Sequence, residues 1–512
     1  MLNRKLSMLL LTFLIGQVKA QETPKVDTLQ RYLRNFAVEH PVFLNQYVPE
    51  RMTRIELNGA LTTGDFKKAQ DADKSKHIGF NSEGSVTIKD TRLWGNFSYQ
   101  KAIEDSTRFG HITRNDEFLP LYFASYGKNH YERTSYKIQA RGQRYFAQER
   151  ITLFAGLDYS VADHFSNNDP RGSIDEMGLD VNLGLGVKIN KKWLLGLEGR
   201  YGYGQENFEI AFKNSIYQNS PDETPYLNYL VKGLGWALDD YLTRTLYQND
   251  YKQRKGYLFS QYKSNFGTFY GRVGYGTANY KYSQLLTTEE RKADLMDFDV
   301  KRLGYTLFWT YTNGDRNHLV KIDGESVAGK DYDILEMINN YTYYRNNVMA
   351  NYVYTVYGTR TDEHYGLSAG LEDLDRKDGG TNTRLKSVRF NASLSADYSS
   401  KLKSKSEIQY GLSLGWTKAL ETDWTLMPIN NNRYHDYVFD HDLSYYGSDY
   451  MSGSIRVGYK MPIHDAKYMV KIQASSSLQY ASNIFEGVST PTRMSWPGHK
   501  RTNSNLRLEF MF

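Results

Sequence analysis

Apolar and polar residues alternate with a period of two along most of this chain. The segments 151–161, 179–189 and 193–203 each place leucine, isoleucine, valine or tyrosine at most second positions, with mainly polar or small residues between them. In a β-strand, successive side chains point to opposite faces of the sheet. The pattern therefore predicts strands with one apolar face.

The same alternation continues to the end of the chain and predicts an all-β protein of about 18 strands, with about 16 as the alternative count. The predicted strands are 52–63, 77–89, 91–103, 132–144, 148–162, 176–189, 193–205, 255–263, 267–281, 299–312, 317–328, 346–357, 363–373, 385–398, 405–418, 450–461, 467–480 and 503–512. Short connections alternate with longer ones, of which 206–254 and 419–449 are the longest. This alternation is typical of transmembrane antiparallel β-barrels, which have short periplasmic turns and long extracellular loops. We therefore expect a barrel over residues 52–512, closed by pairing of 503–512 with 52–63.

A series of soluble β-sandwich domains is the competing interpretation. Predicted strands of about 10–14 residues suit a tilted membrane crossing, whereas strands of globular proteins centre on about 5–6 residues. The predicted apolar faces also end repeatedly in aromatic residues, which are enriched at membrane interfaces. These aromatic residues are Tyr99, Tyr159, Trp193, Tyr203, Trp309, Tyr398, Trp416, Tyr459 and Tyr480. Both features favour the barrel.

The N-terminal 20 residues contain the long apolar run of the chain. Arg4 and Lys5 precede the apolar stretch 6–15, and small residues follow it. This is the pattern of a secretory signal peptide, with cleavage expected near Ala20. Cysteine is absent, so neither a disulfide nor a lipidated N-terminal cysteine is expected.

Residues 21–51 form a separate N-terminal segment before the first predicted strand. Leu29, Tyr32, Leu33 and Phe36 have the spacing of one helical face, and Pro41 is a stop signal. A short helix is therefore predicted on the periplasmic side. It either plugs the lumen or packs against the end of the barrel.

Polar residues of both charge signs occupy the predicted inward positions of the strands. The candidate lumen-lining residues are Arg54, Glu56, Glu83, Glu198, Arg200, Arg389, Asp397, Glu407 and Lys471. A barrel of 16–18 strands is too wide for its side chains alone to fill. These residues either line a water-filled, charge-balanced channel or pair across the lumen and hold it shut.

Composition changes this picture little. The mean hydropathy of −0.64 conceals the membrane character, because inward and outward residues of a barrel strand average out. The formal net charge is only +6. Clustered basic patches are absent from the sequence, so no nucleic-acid partner is expected.

One predicted loop carries a candidate metal site. His435, Asp436, Asp440, His441 and Asp442 place two imidazoles and three carboxylates close together. Such ligands suit zinc, iron or manganese if they converge. The alternative is an ordinary polar surface loop, and no cofactor is expected.

Catalytic signatures do not emerge from the sequence. A Gly-x-Ser-x-Gly motif is missing, cysteine chemistry is excluded, and no histidine is expected on an outward strand position. An enzyme is therefore not expected, and a membrane-embedded hydrolase is retained only as a remote alternative. The longest loops are rich in tyrosine and tryptophan, which either stack on a ligand or partner or pack together into a lid.

The last residues alternate once more, with Leu506, Leu508, Phe510 and Phe512 on one face. A terminal strand ending in Phe resembles the sorting signal of bacterial outer-membrane proteins, which the barrel-assembly machinery reads. With "TRIELNGALTTGDFKKAQDADKS", "DHFSNNDPRG" and "LRLEFMF", the chain resembles an uncharacterised outer-membrane β-barrel family of Bacteroidota. The resemblance implies a Gram-negative outer-membrane location and association with surface systems for nutrient or metal acquisition.

These inferences lead to two main functional hypotheses. The first is a porin-like channel or accessory for uptake of a small solute or a surface-captured nutrient. The second is a non-conducting barrel whose aromatic loops bind a surface lipoprotein, an importer or a ligand. The expected partners are the lipid bilayer, the barrel-assembly machinery and a surface lipoprotein or TonB-dependent importer.

Overall fold

The computed structural model describes residues 28–113, 118–218, 228–234, 236–240, 244–285, 292–403, 405–425, 435–463, 468–485 and 496–512. The strands, in chain order, are β1 (Met52–Gly64), β2 (Lys74–Ile88), β3 (Thr91–Thr107), β4 (Leu121–Ser125), β5 (Asn129–Phe146), β6 (Ile151–Ser166), β7 (Arg171–Lys188), β8 (Trp193–Ala211), β9 (Asn228–Lys232), β10 (Trp236–Asp240), β11 (Arg244–Ser264), β12 (Gly267–Leu285), β13 (Lys292–Asn313), β14 (Arg316–Asp333), β15 (Tyr341–Tyr357), β16 (Thr361–Asp378), β17 (Thr383–Lys401), β18 (Glu407–Thr425), β19 (Asp449–Ile463), β20 (Tyr468–Asn483) and β21 (Lys500–Met511). The α-helices are α1 (Thr28–Glu39), α2 (Leu44–Tyr47), α3 (Ser215–Gln218) and α4 (Asp440–Gly447).

Eighteen of these strands form one antiparallel sheet that closes on itself. Each strand pairs with its neighbours along the chain, and β1 pairs with β21, with Leu57 opposite Leu508 and Ile55 opposite Phe510. Closure satisfies the backbone hydrogen bonds of both edges, which lipid could not do. The predicted fold class, strand number and closing pair are confirmed.

Each predicted strand overlaps one barrel strand, but many barrel strands are longer than predicted. β8 reaches Ala211 and β11 already begins at Arg244, so the predicted connection 206–254 was too long. The reason is that the apolar residues change from the outward face to the inward face partway along the strand. Beyond Tyr203 on β8, the inward residues become apolar, as at Phe208 and Ile210, which are buried.

The outer surface of the barrel carries large apolar side chains that no other part of the chain covers. Leu183 is 67 % exposed, Leu394 is 62 % exposed and Leu414 is 59 % exposed. An apolar surface that surrounds a closed sheet is stable only against acyl chains. The barrel is therefore a transmembrane one.

Aromatic rings mark the two borders of this apolar band. Near the short turns, ring contacts link neighbouring strands, for example Trp193 with Tyr262 at 4.6 Å between centroids and Tyr398 with Tyr410 at 5.2 Å. On β8, Tyr203 lies ten residues beyond Trp193, roughly 33 Å along the strand. With a strand tilt of about 40°, this corresponds to roughly 25 Å along the membrane normal, the usual height of the apolar band.

The N-terminal residues fold into the barrel mouth at which the short turns lie. Residues 28–48, which we call the plug, comprise α1, a 3₁₀ turn at Pro41–Phe43 and α2. Phe36 stacks on Phe308 of β13 with ring centroids 4.1 Å apart. Gln143 of β5 donates a hydrogen bond to the carbonyl of Val42 at 2.7 Å. The plug therefore lies inside the lumen and is bonded to its wall.

The opposite mouth is filled by extracellular-type loops, which we call the lid. It consists of the described residues between β3 and β5, between β8 and β11, and between β18 and β19. A three-stranded sheet in the order β10-β9-β4 lies in it. Its buried side chains, among them Phe123, Val231 and Phe439, form one apolar cluster with inward residues of the barrel strands.

Among the helices of the described residues, none combines the length and the apolar character needed to cross a bilayer.

Candidate functional site

The plug is held to the barrel seam by a buried ion network. Arg54 of β1 contacts Glu509 of β21 at 2.5 Å, Glu56 at 2.5 Å and Glu83 of β2 at 3.2 Å. Arg34 of α1 contacts Glu83 at 3.3 Å. Breaking such a buried network leaves an uncompensated charge, so it fixes α1 against the strands that close the barrel.

A second polar contact anchors the end of the plug on the other side of the lumen. Arg272 of β12 contacts Glu198 of β8 at 3.2 Å and donates a hydrogen bond to His40 Nδ1 at 3.0 Å. Arg200 donates to the carbonyl of Glu39 at 3.1 Å. Burial and, next, the charge of Arg272 hold the pKa of His40 well below its usual value, so the imidazole is neutral and accepts this hydrogen bond.

Between α1 and the wall formed by β16–β21 and β1 lies a cavity of about 470 Å³. We call it the basic cavity. It is lined by Arg31, Tyr32, Arg34, Asn35, Arg54, Asp362, His364, Ser395, Asp397, Tyr398, Ser399, Lys401, Glu407, Gln409, Tyr410, Arg456, Lys460, Lys471, Gln473, Glu509 and Met511. This volume is in the range of sites that hold small-molecule ligands.

The basic cavity exists because the plug fills the lumen asymmetrically. Its apolar residues pack on β3, β6, β8 and β11–β15, through residues such as Trp94, Phe154 and Phe308. The other side of α1 presents Arg31, Tyr32 and Asn35 to the cavity. Along β17, the lining runs from Lys401 at the short-turn end to Ser395, roughly 20 Å of strand.

The predicted lumen residues fall into three groups in the structure. Arg54, Asp397, Glu407 and Lys471 line the basic cavity, and Glu56 and Glu83 belong to the ion network beside it. Arg200 binds the end of the plug, and Glu198 pairs with Arg200 and with Arg272, which also binds the plug. Arg389 lies nearer the lid, where it contacts Glu372 at 2.6 Å and its guanidinium lies 4.7 Å from the ring centre of Tyr446. All of them lie inside the barrel, as the alternation predicts.

Several cavity residues were not among the sequence candidates. Arg456 and Lys460 lie at inward positions of a predicted strand, so the alternation could have identified them. Arg31 could not be found in this way, because the predicted helical face did not include it. In the structure α1 buries Leu29 and Phe36, whereas Tyr32 is 45 % exposed and faces the cavity.

The candidate metal residues lie in or next to α4 of the lid. His441 Nε2 is 2.8 Å from the carbonyl of Lys67, and Asp442 Oδ1 accepts a hydrogen bond from the backbone N–H of Ala69 at 2.8 Å. Asp440 is buried. The side chains of His435 and Asp436 lie outside the described part of the structure, and within that part no three such side chains form a metal-binding group. A metal site in this loop stays a prediction.

Asp442 is instead a docking residue of the lid. Burial raises the pKa of its carboxyl to about 6. The hydrogen bond from Ala69 and the charges of Lys68 and Arg376 oppose this increase in pKa, and the charge of Asp71 adds to it. The docked lid therefore favours the protonated carboxyl.

The expectation that no histidine faces outward was wrong. His318 of β14 lies on the outer face, because its neighbour Leu319 is buried among the plug residues. Its ring lies 4.9 Å from that of Tyr354, and its Nδ1 is 2.8 Å from the hydroxyl of Tyr352. His318 is thus part of the aromatic border of the apolar band.

The terminal alternating residues form part of β21. Leu506 is 59 % exposed on the outer surface, and Leu508 and Phe510 lie opposite residues of both β1 and β20. Phe512 accepts and donates backbone hydrogen bonds with Thr53 and packs its ring on Tyr468. Their role as an assembly signal stays a prediction.

Three solved structures illustrate the similarity of this chain to known proteins, at low sequence identity. BauA, the ferric preacinetobactin receptor of Acinetobacter baumannii, is 8 % identical, with 91 % of this chain and 80 % of that chain covered and a TM-score of 0.39. The copper transporter OprC is 7 % identical, with 90 % and 81 % covered and a TM-score of 0.40. The ferric citrate transporter FecA is 9 % identical, with 91 % and 79 % covered and a TM-score of 0.39. These similarities carry no argument about function, and the fold assignment rests on the strand pairing itself.

A comparison with curated proteins found no match. A family model does match, and it covers nearly the whole chain. On this basis the chain, over residues 41–512, belongs to the family of unknown function DUF6850.

Proposed function

We propose that the protein is a gated channel of the Gram-negative outer membrane, or the channel component of an uptake system, for a small solute. The observation that carries the proposal is the basic cavity. The plug closes only part of the lumen, and the remaining part is an open, charged space beside it. If the barrel only had to be closed, apolar side chains in this space would make it more stable, because buried charged groups cost free energy.

In this proposal the short-turn mouth faces the periplasm and the lid faces the cell exterior. The signal peptide expected at residues 1–20 would direct export, and the C-terminal strand would be read by the barrel-assembly machinery. The lid acts as the outer gate, since its aromatic cluster blocks the mouth. A surface lipoprotein or TonB-dependent importer would deliver the solute or open the gate.

Planar-bilayer recording tests the proposal. Residues 212–243 lie between β8 and β11, so a short Gly-Ser linker can replace them without shortening either strand. We expect the purified protein to show rare, low-conductance openings and the lid-shortened variant to conduct steadily. The control variant replaces the turn 189–192, at the opposite mouth, with Asn-Gly and should behave like the unmodified protein. A tight seal from every variant would overturn the channel proposal.

The second candidate function is a non-conducting barrel that binds a partner or ligand at the cell surface. It is favoured by an open polar groove of about 700 Å³ at the long-loop end of the barrel, lined among others by Lys128, Asn168, Arg171 and Lys213. The bilayer experiment separates the two candidates, because this function requires no conductance with or without the lid.

A further inference from the structure

The charges that line the basic cavity are not balanced. Seven lining residues are cationic and four are acidic. The cations are Arg31, Arg34, Arg54, Lys401, Arg456, Lys460 and Lys471, and the acids are Asp362, Asp397, Glu407 and Glu509. The excess of positive charge is enclosed by the plug and the barrel wall, where screening by solvent is weaker than on an open surface.

Most of these cations already have a carboxylate partner. Lys401 contacts Asp362 at 2.8 Å, Arg456 contacts Asp397 at 3.3 Å, and Lys460 contacts Glu407 at 3.3 Å. Arg34 and Arg54 belong to the ion network that holds the plug. These groups shape the cavity but have little charge left to offer a ligand.

Two cations remain, one from each side of the cavity. Arg31 extends from the plug and Lys471 from β20. Among the residues that the structure describes, no carboxylate lies within ion-pair distance of either one. Glu509 acts on both from further away, but its carboxylate is bound by Arg54 at 2.5 Å. Arg31 and Lys471 also repel each other.

Burial and the neighbouring cations act together on Arg31. Burial, followed by the charges of Arg54 and Arg507, lowers the pKa of its guanidinium to about 10. The side chain is still protonated at neutral pH, so the closed state carries an unfavourable concentration of positive charge. An anion between the two side chains would relieve it.

We propose that the basic cavity binds a small organic anion, whose carboxylate or phosphate group is held between Arg31 of the plug and Lys471 of the wall. This inference deepens the proposed function, on which it rests for the idea that the ligand is a transported solute. Asn35, Gln409 and Gln473 supply neutral hydrogen-bonding groups for the rest of the ligand. Because the anion contacts both plug and wall, its binding links the plug to β20.

Calorimetric titration of the detergent-solubilised protein with succinate, glycerol 3-phosphate and glycerol tests the proposal. We expect at least one of the two anions to bind and the neutral glycerol not to bind; the stronger of the two anions identifies the acid group. Arg31→Gln and Lys471→Met should each weaken binding about tenfold or more, as expected for loss of a charge-assisted hydrogen bond.

Lys255→Met is the matched control. Lys255 lines a different, smaller cavity near Asp180 and Arg200, so the substitution removes a lumen charge without touching the basic cavity. Binding should be unchanged in this variant. Equal weakening in all three variants, or no binding of either anion to the unmodified protein, would overturn the proposal. Heat-modifiable migration on gels and the β-sheet circular dichroism spectrum show that each variant has folded.

The two proposals fail in different ways. If anions bind but the lid-shortened protein never conducts, the site exists and the channel does not. If the lid-shortened protein conducts but neither anion binds, the channel stands and the ligand class is wrong.

Discussion

Truncating Phe36 should release the plug while leaving the barrel intact. Phe36 is 3 % exposed and packs against Phe308, with a centroid distance of 4.1 Å, and against Tyr270, at 5.2 Å. Replacement of a buried phenylalanine by alanine costs about 3–5 kcal/mol. The barrel strands keep all their backbone pairing in Phe36→Ala, so this cost is borne by docking of the plug. A loss of about 3 kcal/mol lowers the ratio of docked to undocked plug by more than about a hundredfold.

Limited trypsin digestion of protein in liposomes measures the change. Arg34 lies one turn or less from Phe36 and is 5 % exposed, so cleavage after it requires the plug to undock. We expect cleavage after Arg34 to be strongly accelerated in Phe36→Ala, together with more frequent openings in bilayer recordings. Tyr32→Ala is the control on the same helix, because Tyr32 is 45 % exposed and its truncation should change docking by less than about 0.5 kcal/mol.

Two results would refute this reasoning. Unchanged cleavage in Phe36→Ala would mean that contacts other than the aromatic cluster hold the plug. Accelerated cleavage without any additional conductance would mean that the plug is not a barrier to passage.

Three further predictions concern the lid, the seam of the barrel and its lipid-facing surface. Burial in the docked lid raises the pKa of Asp442 to about 6, so protonation of this carboxyl stabilises the docked lid. This stabilisation, about 3 kcal/mol in total, is fully present below the ordinary carboxyl pKa of about 4 and is lost as the pH rises through about 6. Channel openings in bilayer recordings should therefore become more frequent between pH 4.5 and pH 7.5, and Asp442→Asn should remove this pH dependence. Arg54→Met should leave the buried carboxylate of Glu509 without its ion-pair partner and lower the free energy of unfolding by about 3–5 kcal/mol. Urea titration in liposomes would detect this loss as a shifted midpoint, and no shift would mean that water already solvates the network. Leu394→Arg, on the lipid-facing surface, should lower the free energy of unfolding by about 2–4 kcal/mol in the same titration. Ser395→Arg, at a position that faces the lumen, should lower it clearly less. Equal losses in the two variants would contradict the assigned orientation of β17.

The barrel could be predicted because the pattern that specifies it lies within each short segment of the chain. Period-two alternation specifies which side chains of a strand face lipid, and one residue of slippage would reverse all of them. The strand ends were misjudged where polarity inverts, as at Phe208 on β8. There the alternation persists, but its apolar side points to the lid instead of to lipid.

The basic cavity could not be predicted because it depends on contacts between distant parts of the chain. Arg54 and Glu509 are 455 positions apart and meet only when the barrel closes. Arg31 and Lys471 line the same cavity only because α1 packs on one side of the lumen. Periodicity identified Lys471 as inward, but it contains no information about which inward charges find partners.

The inversion of polarity on β8 also has a consequence for the end of the barrel that the lid fills. The strand segments beyond the aromatic border, such as residues 205–211, turn mainly polar residues outward and pack against the lid from inside. If the apolar band marks the membrane, they form a collar of paired strands that extends beyond it into water. In the proposed orientation, a molecule that approaches from outside would meet this collar of paired backbone before it reaches the lid, and opening of the lid would remove the packing that supports the collar from inside.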